Sequence, residues 1–245
     1  MVPKKACFKV IKLNMKLIIC LIIVIALFFK VLNGSNPVIS VFRVWAPLAG
    51  RSVVIDPGHG GIDSGTYHSD GTLEKDINLQ VALKLKNLLE KSGVNVVMTR
   101  SSDVALDNLN DKSSYRHKRD LMARLDIINK SQPDLFISIH VNAEKSSPNT
   151  RGPMVFYYRQ SQKSRELAVI LQRRLNEAYN NSNQLVKERN PNPNSSMYLL
   201  CNTKCPGVIA ELGFITNPID RKMLKTEEFQ NEISKAIVNA LKDYF

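Results

Sequence analysis

Residues 134–141 read Asp-Leu-Phe-Ile-Ser-Ile-His-Val, a run with apolar residues on both faces of an extended strand. A short run of this kind predicts a strand that is buried on both faces, as in the middle of a parallel sheet. Similar runs alternate along the chain with longer segments in which apolar residues recur at helical spacing. We predict strands at residues 52–56, 94–99, 134–141, 154–158 and 208–211, and helices at residues 76–91, 115–130, 161–179 and 227–244.

This alternation predicts an α/β fold in which helices sandwich a mostly parallel sheet. Residues 103–112 are polar and predict a surface loop, and residues 180–196, rich in Asn, Pro and Ser, predict a flexible loop. Cys201 and Cys205 lie four positions apart, which allows either a small disulfide or two free thiols. A chain of 245 residues is long enough for one catalytic domain with an extension.

The first fifty residues differ in charge from the rest of the chain. They carry seven Lys and Arg residues and no Asp or Glu, within a net charge of +12 for the whole chain. Residues 17–29 form an unbroken apolar run behind Lys12 and Lys16, and a basic flank beside such a run is typical of a membrane segment. An uncleaved anchor and a signal peptide both fit this pattern, and both place the remaining chain outside the cytoplasmic membrane.

The expected organisation follows from these segments. We expect a signal or membrane anchor at residues 1–32, a linker at residues 33–50 and a single catalytic domain at residues 51–245. The protein is therefore expected to be exported, either membrane-anchored through its N-terminal contact or secreted. Nucleic acid is not an expected partner, because no basic patch with interleaved aromatic residues occurs in the catalytic domain.

Two histidines and two glutamates lie beside predicted strands or at the start of a predicted helix. His59 follows the first strand, His140 lies near the end of the central strand, and Glu211 ends a later strand. Functional side chains gather at the carboxyl ends of the strands in an open α/β sheet, so we expect these three to meet at one edge. Glu74 lies just before a helix, on a loop that can fold over this edge.

These residue types point to a metal-dependent hydrolase. Two imidazoles and one carboxylate can hold a zinc ion and leave a position open for water. A further carboxylate can take a proton from that water. A single histidine is more often structural than a ligand, but two of the four histidines lie in patches with this chemistry. His68 and His117 have no such setting and are expected to be solvated.

Other residues near these patches have roles that the sequence leaves open. Asp56 and Asp63 could compete as metal ligands, or could accept the second N–H of a ligand histidine. The glycines beside His59 permit a tight backbone path and a close approach of substrate; they are Gly58, Gly60 and Gly61.

Four segments, taken in order, carry a resemblance to a known family. They are Val-Val-Ile-Asp-Pro-Gly-His-Gly-Gly at residues 53–61, Leu-Glu-Lys-Asp-Ile-Asn-Leu at residues 73–79, Ser-Ile-His-Val-Asn-Ala at residues 138–143 and Glu-Leu-Gly-Phe-Ile-Thr-Asn-Pro at residues 211–218. Together with Thr99-Arg100, they resemble the zinc-dependent N-acetylmuramoyl-L-alanine amidases of the type 3 amidase family.

This resemblance implies a site and a reaction. It implies that His59, Glu74 and His140 are zinc ligands and that Glu211 is the catalytic carboxylate. The implied reaction hydrolyses the amide that joins the lactyl group of N-acetylmuramic acid to the L-alanine of the stem peptide in peptidoglycan.

Within the family, the chain resembles the germination-specific amidases of the spore cortex. This resemblance rests on a compact domain behind one N-terminal segment, on Lys-Arg-Asp-Leu-Met-Ala-Arg at residues 118–124 and on Tyr244-Phe245. It implies a first step in making muramic δ-lactam, at the spore cortex or cell wall, and an activator protein as a second partner beside peptidoglycan. Three alternatives stay open: a vegetative autolysin of the same chemistry, a zinc peptidase acting on stem peptides, and a wall-binding module without turnover.

Overall fold

The computed structural model describes residues 15–33, 47–182 and 186–245. The chain divides into two compact units, Met1–Pro47 and Leu48–Phe245. The residues before position 15 and most of the predicted linker lie outside the described residues.

Within the first unit, the structure describes helix α1, Met15–Asn33. This helix contains the predicted apolar run, and many of its apolar side chains are exposed, among them Leu21, Val24 and Phe28. None of the described helices is long and apolar enough to cross a membrane.

The described part of the second unit contains a six-stranded sheet. Its strands are β1 (Ser52–Pro57), β2 (Asn95–Met98), β3 (Leu135–Asn142), β4 (Met154–Tyr158), β5 (Asn192–Asn194) and β6 (Gly207–Phe214). They lie in the order β2-β1-β3-β6-β4-β5. The first four strands of this order are parallel to one another, β4 is antiparallel to β6, and β5 is parallel to β4. This topology confirms the predicted α/β fold with a mostly parallel sheet.

Helices cover both faces of the sheet. They are α2 (Glu74–Lys91), α3 (Arg116–Ser131), α4 (Gln162–Asn181), α5 (Tyr198–Asn202), α6 (Pro218–Leu224) and α7 (Glu227–Tyr244), with one 3₁₀ turn at Asp107–Leu109. Successive side chains of a strand point to opposite faces. Val53 and Ile55 therefore join the main core with α2, α4 and α7, whereas Val54 packs with Ile128 of α3 and Leu199 of α5. Because both faces are covered, the central strands are apolar at consecutive positions.

Two short helices, one short strand and the 3₁₀ turn at Asp107–Leu109 were not predicted. Strand β5 lies among residues 180–196, which the sequence predicted to be a flexible loop, and residues 183–185 of that loop lie outside the described residues. The strand contains Pro193, which is tolerated because β5 is at the edge of the sheet. Helices α5 and α6 have five and seven residues, too few to show a helical period. Cys201 and Cys205, on and just after α5, are free thiols.

Strands β3 and β6 pack closely where Gly207 is the register partner of Phe136. A Cβ atom at position 207 would lie 1.8 Å from Cε1 of Phe136. The phenyl ring is fully buried, so neighbouring side chains limit its movement. The absence of a side chain at this position therefore leaves the space that the phenyl ring of Phe136 occupies.

We expect Gly207→Ala to lower the free energy of unfolding by about 1–3 kcal/mol, because the added methyl group overpacks the core. Urea denaturation followed by circular dichroism measures this change. In a Phe136→Leu background the same substitution should cost less, because the phenyl ring is gone. An unchanged free energy of unfolding in Gly207→Ala would contradict the close contact.

Candidate metal centre

The carboxyl ends of three parallel strands bring the predicted site residues to one edge of the sheet. His59 lies two residues beyond the end of β1. His140 and Glu211 are register partners on β3 and β6 and therefore leave the same face of the sheet. The prediction that Glu211 ends its strand is wrong, because β6 continues to Phe214. Glu74 is the first residue of α2 and is almost fully buried.

Glu74 lies between the two histidines. Its Oε1 is 3.0 Å from Nδ1 of His140 and 3.3 Å from Nε2 of His59. The carboxylate is held in place by two backbone groups: the N–H of Val141 donates to Oε1 at 3.1 Å, and the N–H of Thr66 donates to Oε2 at 2.7 Å. One ligand atom from each of His59, Glu74 and His140 lies within 4.8 Å of the others. Two imidazoles and a carboxylate at this spacing fit the donor set of a divalent zinc ion.

The second ring nitrogen of His59 faces Asp63. Its Nδ1 is 3.1 Å from Oδ2 of that residue, so an N–H on Nδ1 can donate to the carboxylate and leave Nε2 free for a metal. Burial lowers the pKa of His59, but the neighbouring Glu74 and Asp63 raise it more, to about 9. The two neighbouring acids therefore stabilise a positive charge on the ring of His59.

The two aspartates that the sequence left open have different roles. Asp63 is the partner of His59. Asp56 is fully buried and is occupied by Thr99, Ser138 and Arg124, each at 2.6–2.7 Å from one of its oxygens. Asp56 is not part of the His59, Glu74 and His140 cluster, and its contacts are structural.

Glu211 differs from the other acids of the site. Its Oε2 is buried and has no hydrogen-bond partner among the described residues. Burial raises the pKa of Glu211 to about 7, against the lowering effect of the nearby His140. A carboxyl group with a pKa near neutral pH can both accept and return a proton.

Glycines allow the ligands to pack against the backbone. A Cβ atom on Gly58 would lie 2.2 Å from Cε1 of His140, and one on Gly65 would lie 2.6 Å from Cδ2 of His59. Gly60 and Gly61 pack against the backbone of residues 104–105. Gly60 and Gly61 also have positive φ angles, in agreement with the predicted tight backbone path, while the close approach of substrate stays a prediction.

The remaining histidines stay outside the cluster. His117 has a side chain that is 66% exposed. His68 lies on an exposed loop with Nδ1 at 3.3 Å from Oδ1 of Asp70. Both positions agree with the expectation that these two histidines are solvated.

A parallel α/β sheet with a His-Glu-His cluster at its strand ends defines a candidate metallohydrolase. Residues 53–243 match the sequence model of a family described as N-acetylmuramoyl-L-alanine amidase, and the chain belongs to this family. This confirms the predicted family and its amidase activity, whereas the roles of the four site residues stay predictions.

Relatives and solved structures agree with this family. The chain is 32% identical over 225 residues to the germination-specific N-acetylmuramoyl-L-alanine amidase of Bacillus subtilis (strain 168), and this alignment covers 91% of each chain. It is 35% identical to the CwlD amidase from Clostridioides difficile, solved in complex with the GerS lipoprotein, with a TM-score of 0.73 over 80% of this chain and 98% of that chain. An N-acetylmuramoyl-L-alanine amidase from Clostridium difficile 630 is 31% identical, with a TM-score of 0.68 over 79% of this chain and 96% of that chain.

We expect Gly58→Ala to weaken zinc binding by about 10–100-fold, as is usual when a group that orients a ligand is disturbed. The new methyl group would displace the imidazole of His140. Titration calorimetry of the zinc-free protein measures the dissociation constant. Gly50→Ala is the control: its φ of 76° strains an alanine, but the new methyl group meets no atom within 4 Å and lies before β1, at the opposite end of that strand from His59, so zinc affinity should be unchanged. Wild-type affinity in Gly58→Ala would show that His140 does not need this space.

Proposed function

We propose that this chain is a zinc-dependent amidase that cleaves the bond between N-acetylmuramic acid and L-alanine in the peptidoglycan of the spore cortex. The observation that carries this proposal is the convergence of His59, Glu74 and His140 at the same sheet edge as the unpartnered carboxylate of Glu211. The family supplies the substrate class, and these residues supply the chemistry.

His59, Glu74 and His140 would hold the metal ion. Zinc in such a site supplies Lewis-acid polarisation of the amide carbonyl and lowers the pKa of water. Asp63 keeps the proton of His59 on Nδ1, so that Nε2 stays available as a ligand. The backbone N–H groups of Val141 and Thr66 fix the Glu74 carboxylate, which limits the rearrangement needed to form the site.

Glu211 would be the general base and then the general acid. Its free Oε2 can accept the proton of the attacking water, since no protein donor occupies that oxygen among the described residues. The same carboxyl group can then return the proton to the leaving amine of L-alanine as the amide bond breaks. Because Glu211 takes one proton from water and gives one to the amine, hydrolysis needs no other proton donor or acceptor.

We propose the spore cortex as the substrate because the relative from Bacillus subtilis is germination-specific and aligns over 91% of both chains. A second candidate is vegetative wall hydrolysis. The chain is 36% identical to the probable cell wall amidase LytH of Staphylococcus epidermidis, but it spans 60% of that relative's length. The fuller alignment favours the cortex.

We also propose export, with the N-terminal segment in contact with the membrane and residues 51–245 as the catalytic domain. The support is the basic N-terminal charge and the exposed apolar side chains of α1. Recovery of the full chain in the cytoplasmic fraction of its own cells would contradict this.

A partner protein is proposed because the similar CwlD amidase was solved with the GerS lipoprotein. We propose that the partner raises the rate of cleavage without being required for it, so a rate that extract of its own cells leaves unchanged would contradict this role.

Purified protein incubated with cortex peptidoglycan should release whole stem peptides with a free L-alanine amino group and leave the glycan intact. Mass spectrometry of both products checks this. Shortened stem peptides still attached to the glycan would indicate a peptidase, and unchanged sacculi a module without turnover. Faster cleavage of vegetative wall than of cortex would favour the second candidate.

Glu211→Gln should retain bound zinc and lower kcat by about 10²–10⁴-fold, since the amide cannot accept the proton. Metal analysis and turnover of muramyl peptide are measured on the same sample. His59→Ala is the contrasting variant and should lose the metal. His68→Ala, outside the cluster, should change neither quantity. Wild-type turnover in Glu211→Gln would remove this residue from the proposed mechanism.

A further inference from the structure

Two arginines from the recognised sequence motifs have no role in the proposed reaction. Arg100 follows β2, and Arg124 lies on α3. Both are almost fully buried. Their guanidinium groups meet at the backbone of residues 57–59, which connects the end of β1 to the candidate ligand His59.

Arg124 contacts this turn from the side of α3. Its Nη1 donates to the carbonyl of Pro57 at 2.8 Å, and its Nη2 donates to the carbonyl of His59 at 2.7 Å. Two carboxylates hold the guanidinium in this orientation. They are Asp56, at 2.7 Å from Nη1, and Asp120, at 2.6 Å from Nε.

Arg100 contacts the same turn from the loop after β2. Its Nε donates to the carbonyl of Pro57 and its Nη2 to the carbonyl of Gly58, both at 2.9 Å. Asn78 of α2 also donates to the Gly58 carbonyl, at 3.2 Å. Three consecutive carbonyls, at positions 57–59, therefore each accept a hydrogen bond from a buried arginine.

The backbone at His59 needs such support. Its φ of 61° is in the left-handed region, which a residue with a side chain rarely adopts. A conformation of this kind persists only where the surrounding structure holds it in place. Carbonyls alternate in direction along an extended strand, so three consecutive carbonyls bound by two adjacent guanidinium groups require a turned backbone.

We propose that Arg124 and Arg100 are positioning residues of the metal centre. Their hydrogen bonds hold the backbone of residues 57–59 so that the imidazole of His59 faces Glu74 and His140. Lysine cannot replace this function, because its ammonium group is a point charge without the planar fork that binds two carbonyls. The inference rests on the proposed zinc site, since positioning has a purpose only if His59 is a ligand.

Arg124→Lys tests the proposal through zinc affinity. We expect the zinc dissociation constant to rise by about 10–100-fold, while far-UV circular dichroism stays that of the wild type. Arg119→Lys is the matched control: Arg119 is also on α3, and its Nη1 donates to the carbonyl of Ser113 at 3.1 Å, outside the turn. Zinc affinity should be unchanged in this control. Unchanged affinity in a folded Arg124→Lys variant overturns the proposal.

Amide hydrogen exchange in the zinc-free protein gives a second readout that involves neither metal nor turnover. We expect faster exchange at residues 58–61 in Arg124→Lys than in the wild type or Arg119→Lys, and equal rates overturn the proposal.

If Arg124→Lys does not fold, Arg100→Lys tests the proposal by the same two measurements, zinc affinity and hydrogen exchange. Failure of both variants to fold also overturns it, because the arginines would then support the whole domain. A wild-type protein that binds no zinc would refute the proposed metal site. Hydrogen exchange would then test only whether Arg124 holds the backbone of residues 57–59.

Discussion

The buried ion pair between Asp56 and Arg124 joins four elements at the edge of the sheet where the candidate metal centre lies. Burial by itself raises the pKa of Asp56, but Arg124 and the hydroxyl groups of Ser138 and Thr99 lower it to about 2. A buried ion pair is favourable only when further hydrogen bonds satisfy its remaining atoms, and here they do. Because these groups come from β1, β3, α3 and the residue after β2, the pair ties the strand end that precedes His59 to the body of the domain.

Two buried carboxyl groups near this edge have opposite environments. Asp56 has cationic and hydroxyl donors on both oxygens, which stabilise its ionised form. Glu211 has one oxygen without a partner among the described residues, and its burial favours the neutral form. A buried acid with an unpaired oxygen destabilises the fold, and costs of this kind are expected at functional sites, where they are offset elsewhere in the structure. The contrast supports a structural role for Asp56 and is consistent with the proton transfer proposed for Glu211.

The long elements of the fold could be predicted because burial leaves a local pattern. Helix α7 has the predicted bounds, since its apolar residues follow one face over many turns. Strand β4 also has the predicted bounds. Elements without such a pattern were missed: β5 forms because β4 offers an open edge, and its own sequence of Asn-Pro-Asn has low strand propensity. Pairing with a distant segment, and not local preference, makes these residues a strand.

The amino-acid sequence alone determined three things about this protein: the alternation of strands and helices, the motifs of an amidase family, and the imidazole and carboxylate groups that those motifs carry. The tertiary structure alone decided which polar groups serve the site and which serve the fold. Asp56 and Asp63 look equivalent in the sequence, but the first faces Arg124, 68 positions along the chain, and the second faces His59. The physical reason is that a buried polar group takes its role from its hydrogen-bond partners. Those partners come from distant segments, and no local sequence pattern shows which segments will be in contact.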